Sequence, residues 1–77
     1  MKREYQINVN NHIYSYDIPQ NLKLYCNGKK YSGIALVYKD DNDTYETVPF
    51  TVNYDEIDLS KQAIEAQIKL KVKNGEM

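Results

Sequence analysis

No lysine or arginine occurs between Asp40 and Ser60, while seven acids do: Asp40, Asp41, Asp43, Glu46, Asp55, Glu56 and Asp58. The segments on either side each carry a basic surplus, so the formal charge of −1 conceals a polarised chain. Such a band steers encounters with oppositely charged partners without naming them. Tryptophan is absent, and phenylalanine, cysteine and histidine occur once each. The lone Cys26 excludes an internal disulfide, of which a small secreted domain normally has several. One histidine and one cysteine do not make a zinc site. Ser15 and Asp17 lie near His12 in sequence, but as strand neighbours they point away from it, whereas a catalytic triad needs its acid, base and nucleophile in contact. Gly28, Gly33 and Gly75 are scattered, so no glycine-rich phosphate loop exists. The acidic run from Asp40 to Thr44 lacks the glycine and the bidentate glutamate of an EF-hand loop. No apolar run approaches the ~20 residues of a membrane-spanning helix. The basic start Met1-Lys2-Arg3 is followed by no apolar signal-peptide core. These absences predict a cytoplasmic protein that is not an enzyme, with no catalytic residue, no metal and no cofactor.

What is present fits one small domain spanning residues 1–77. Lysine, asparagine, tyrosine and isoleucine fill 32 of 77 positions. All four use AT-rich codons, which points to a low-GC bacterium or one of its phages.

Alternation with period two dominates and predicts strands. Tyr5, Ile7 and Val9 alternate with polar residues up to Asn10-Asn11, a pair suited to the left-handed dihedrals of a tight hairpin. With those two as the turn, Val9 faces His12, Ile7 faces Tyr14 and Tyr5 faces Tyr16, apolar against aromatic. Pro19 to Asn21 end the second strand. Leu22, Leu24 and Cys26 alternate into Asn27-Gly28, a strong hairpin signal. Cys26 reads as a packed strand residue. A strand from Lys30 to Lys39 follows. Its run Ile34-Ala35-Leu36-Val37-Tyr38 has the composition of a strand covered on both faces, and Gly33 suggests a bulge. A five-residue loop from Asp40 to Thr44 would set Leu36 opposite Val48 and Ile34 opposite Phe50. Pro49, lacking a donor, belongs at a bulge or an unpaired edge.

The last segment carries two signals. Lys61 to Gln67 are good helix formers, with Ser60 as N-cap and Leu59 and Ile64 as a hydrophobic staple. Yet Ile64, Ala66, Ile68, Leu70 and Val72 alternate strictly with polar residues. Pattern outweighs propensity in this reading and predicts a strand from Gln67 to Lys73. The expected fold is all-β: a small antiparallel meander of five or six strands closing as a barrel or two-layer sandwich, with a short helical turn near 55–62. The alternative is α+β with a C-terminal helix.

The functional expectation is a non-catalytic protein-binding module, a phage or mobile-element accessory protein that inhibits or modulates a host protein. Its candidate binding residues are the seven acids together with Tyr5, Tyr14 and Tyr16, since tyrosine suits interfaces. The partner would be a protein with a basic surface. The acids fall into two clusters at opposite ends of the strand Tyr45 to Tyr54, about 30 Å apart at strand rise. A second reading is a single-stranded nucleic-acid binder using the tyrosines and a row of Lys69, Lys71 and Lys73. The sequence pI of about 5.7 weighs against it. A third is a small assembly subunit that forms a homo-oligomer through an edge strand.

Overall fold

The computed structural model describes residues 3–40 and 42–77. Five antiparallel strands run in the order β1 (Tyr5–Val9), β2 (His12–Tyr16), β3 (Lys23–Tyr25), β4 (Lys30–Lys39) and β5 (Glu46–Asn53). A 3-10 segment, Tyr54–Leu59, leads into helix α1, Ser60–Lys73. β4 is the spine. β5 pairs along one side of it, while β3 and β2 take successive halves of the other. β1 completes the sheet beyond β2. The antiparallel sheet and the helical turn are as the sequence predicts, but the strands do not follow a meander, since β2 pairs with β4 and not with β3, and the chain ends in the alternative form, a helix.

The first hairpin has the expected register: Tyr5 opposite Tyr16, Ile7 opposite Tyr14, Val9 opposite His12. Asn10 and Asn11 both have positive φ, 52° and 67°, as a two-residue turn requires. The second hairpin has the register that Asn27-Gly28 sets, and its chain leaves the strand conformation already at Cys26. Tyr25 pairs with Lys30, so Cys26 lies in the exposed loop with φ 55°, not packed in a strand.

The third hairpin is one residue tighter than expected. Val48 faces Ala35 and Phe50 faces Gly33, in place of Leu36 and Ile34. The cause is Asp40. It adopts φ 51° and starts the turn, which the Asn42 N–H closes onto the Lys39 carbonyl (3.0 Å). A slip of one residue exchanges the two faces of a strand. Ala35 and Val37 therefore go to the core, and Ile34 and Leu36 to the opposite face. Gly33 marks no bulge, since the register runs through it unbroken. It is small because a Cβ there would stand 2.5 Å from Leu22 Cδ2 and 3.0 Å from the Phe50 ring. Pro49 lies opposite Ile34 in β5, which among the described residues pairs only with β4. That is the edge-strand position its missing donor calls for.

The predicted strand from Gln67 to Lys73 is the second half of α1, and the sheet does not close into a barrel. The physical reason lies in the spacing. Apolar residues at every second position also fall at every fourth, and Ile64, Ile68 and Val72 form one helical stripe. Ile64 and Ile68 are 0% exposed against the sheet, while Leu70 points away and is half exposed. The propensities of Lys61 to Gln67 favour the helix, and the apolar bed of the sheet receives its stripe. Ser60 is not the N-cap. It is the first helical residue, and its hydroxyl donates back to the Ile57 carbonyl (2.7 Å). The helix stops in a Schellman arrangement. Gly75 takes φ 75°, its N–H reaches the Val72 carbonyl (3.1 Å), and the Glu76 N–H reaches Lys71 (2.9 Å).

One core results. Tyr14 and Tyr16 from β2, Ala35 and Val37 from β4, and Val48, Phe50 and Val52 from β5 bury themselves under Ile64 and Ile68. The Tyr16 hydroxyl donates to Glu65 Oε2 (2.6 Å), and Lys61 Nζ donates to the same oxygen (3.0 Å). This polar bridge fixes the helix to β2. Burial, then the bond to the carboxylate, raises the Tyr16 hydroxyl pKa far above the ordinary tyrosine value. Burial pushes the Glu65 carboxyl up, but the Tyr16 hydroxyl and the Lys61 ammonium outweigh it and hold it below its ordinary value.

Candidate interaction surface

The helix covers one face of the sheet only. On the other, β4 presents Ser32, Ile34, Leu36 and Tyr38, with Pro49 of β5 opposite Ile34 and Ser15 of β2 opposite Tyr38. Ile13 continues that face along β2. Ile34 is 58% exposed and Leu36 41%. Around Tyr38 the face is held by aromatic contacts. The Arg3 guanidinium lies 3.3 Å from the Tyr38 ring centre, and the Tyr45 ring meets it edge-on at 5.8 Å.

Relief on this face comes from the break between β2 and β3. The chain leaves the sheet after Tyr16 and rejoins it at Lys23, so β4 has no strand beside Gly33 to Leu36 on that side. A cleft of about 700 Å³ lies at this break and reaches round to the helix side, with Pro19, Lys23, Ile34, Pro49, Thr51 and, from α1, Gln67 among its walls. A smaller one of about 300 Å³ adjoins it, lined by Arg3, Asp17, Pro19, Ile34, Leu36 and Tyr38. Pro19 and Ile34 are common to both, so the two clefts adjoin along the exposed Ile34.

The sequence-derived candidates sit elsewhere. Tyr14 and Tyr16 are buried in the core and offer no surface. Tyr5 is half buried and stacks on Tyr16 with ring centres 5.7 Å apart. The acids separate as expected to the two ends of β5. Asp43 and Glu46 are exposed at one end, and Asp55, Glu56 and Asp58 at the other. Asp41 lies outside the described residues. Asp40 is committed to the backbone. Its Oδ1 accepts the Ile13 N–H (2.9 Å), its Oδ2 accepts the His12 Nδ1–H (2.6 Å), and its own N–H donates to the Ile13 carbonyl (2.7 Å). The Ile13 amide first, then the His12 ring, hold its carboxyl below the usual aspartate range. His12 is thus a partner of a turn carboxylate. Among the described residues no three His, Cys, Asp or Glu side chains gather as a metal site.

At the far end the 3-10 segment is pinned by stacking of Tyr54 on Tyr31, with centres 5.6 Å apart, and by the Tyr54 N–H on the Lys29 carbonyl (2.8 Å). Its three acids flank an exposed Ile57. The lysine row does not survive helix formation. At about 100° per residue, Lys69 and Lys73 share a side and Lys71 faces the opposite way.

What sequence reasoning missed is Ile34, Leu36 and Pro49. The signal was present in the doubly apolar run of β4, and it was assigned to a second covering layer. Among the described residues no helix is long and apolar enough to cross a membrane. No family model, curated protein or solved structure matches the chain.

Proposed function

We propose that this chain is a non-catalytic protein-binding module that engages another protein through the uncovered face of its sheet. The observation that carries the reading is the composition of β4. An antiparallel sheet that faces water on one side normally alternates apolar and polar residues. β4 instead carries Ile34, Leu36 and Tyr38 outward while Ala35 and Val37 pack inward. A strand built for two covers has one, and a partner supplies the second. Contiguous exposed apolar surface with a polar rim is the usual mark of a protein interface. The acids at the two ends of β5 favour a partner with basic surface around an apolar contact, through faster encounter more than tighter holding.

Size, codon-driven composition and the want of catalytic motifs in the sequence support reading the module as an accessory protein of a phage or mobile element of a low-GC bacterium. There it acts in the host cytoplasm by inhibiting or modulating a host protein. Capture from a low-GC bacterial lysate tests this. Wild type retains a saturable protein partner, and the variant Ile34→Asp with Leu36→Asp loses it by about tenfold or more, the scale of losing a central apolar anchor. The circular dichroism of the variant stays that of wild type, because both side chains already face water. Capture of no saturable partner, or equal capture by the variant, overturns the reading.

A further inference from the structure

Two Asn-Gly steps occur in the chain, Asn27-Gly28 and Asn74-Gly75, and the fold treats them differently. Both steps are exposed. In the loop joining β3 and β4, Cys26, Asn27 and Gly28 have φ of 55°, 56° and 79° in succession. Within that loop the Lys29 N–H reaches the Cys26 carbonyl at 3.2 Å, and the Lys29 carbonyl accepts the Tyr54 N–H at 2.8 Å. Among the described residues neither the Asn27 side chain nor the Gly28 N–H has a hydrogen-bond partner, and a Cβ built on Gly28 would meet nothing within 4 Å. At the end of α1 the Gly75 N–H is bound to the Val72 carbonyl, and Asn74 itself is anchored through its N–H on Leu70 (3.0 Å).

We propose that Asn27 is a site of spontaneous deamidation in the folded protein. The Gly28 nitrogen gives up its proton to solvent base and attacks Asn27 Cγ. A five-membered succinimide closes and ammonia leaves. Water then opens the ring at either carbonyl, giving aspartate or isoaspartate. The reaction needs a free following amide, no obstructing Cβ and a carboxamide able to swing onto the main chain. Asn27 meets all three, whereas the Gly75 amide is occupied.

The products alter the hairpin. Either adds a negative charge beside Lys29 and Lys30. Isoaspartate also lengthens the main chain by one carbon within a turn that fixes Tyr25 opposite Lys30. The Lys29 carbonyl holds the Tyr54 N–H, so the change reaches the acidic 3-10 segment.

The test is to age the intact protein at mildly alkaline pH and follow two tryptic peptides, Leu24–Lys29 and Asn74–Met77. Digestion in oxygen-18 water separates conversion during the digest from conversion in the protein. Leu24–Lys29 accumulates the mass gain and the isoaspartate doublet about fivefold faster than Asn74–Met77, the protection one net hydrogen bond confers, and the ratio falls to about one in guanidinium. Equal rates in the folded protein, a slower Asn27, or an Asn27 that stays intact overturns the proposal.

Discussion

Asp40 joins two hairpins with one carboxylate. One oxygen takes the Ile13 amide and the other takes the His12 ring, while its left-handed backbone starts the third turn. A carboxyl whose pKa is lowered on folding contributes stability above its unfolded value and loses it as pH falls through the folded one. Carbon-detected titration of Asp40 therefore gives a pKa below the ordinary aspartate value of 3.8. Because the Ile13 amide still holds the carboxylate, His12→Ala returns that pKa only part of the way. Full return would show that the imidazole, not the backbone, controls the carboxylate. At this scale the first hairpin was readable in advance, since Asn10-Asn11 and the matched faces admit one register. The third was not. A loop one residue shorter depends on Asp40 tolerating positive φ, which aspartate permits without announcing.

The helix is the element on which sequence signals disagreed. Strict alternation from Ile64 to Val72 suits a strand, yet it contains the four-residue spacing of a helix, and no periodicity argument separates the two over so short a span. The tie was broken by what lay across from it. The sheet offers Val48, Phe50 and Val52 as a flat apolar bed, and Ile64 and Ile68 fill it. Tyr16 gave no polar signal in the sequence, yet its hydroxyl ties the helix to β2 through Glu65. Tyr16→Phe leaves the half-buried Glu65 carboxylate with Lys61 as its partner and costs about 1–2 kcal/mol in urea unfolding at neutral pH. The pH dependence carries a second signature. A tyrosine whose pKa is raised on folding contributes stability that is complete below the ordinary value of 10.0 and drains as pH climbs above it. The variant therefore loses less stability than wild type between neutral and strongly alkaline pH. An unchanged alkaline slope would show that the hydroxyl does not bridge to the helix in solution.

For the molecule as a whole, the decisive feature is one layer of helix against a sheet whose spine is apolar on both sides. Composition foretold the two-sided strand, and its register decided which residues went to each side. The open face itself could not be foreseen, because nothing in Ile34 or Leu36 says whether the chain supplies their cover. The acidic clusters were legible as charge and their separation along β5 as geometry. The apolar contact between them emerges only once the strands are paired. The most direct test is hydroxyl-radical footprinting of the protein alone and with its captured partner. The account predicts that oxidation of Ile34, Leu36 and Pro49 is suppressed in the complex while that of Leu70, exposed on the helix, is unchanged. Protection confined to Tyr54 and Ile57 beside the acids, with Ile34 and Leu36 as reactive as before, would contradict it.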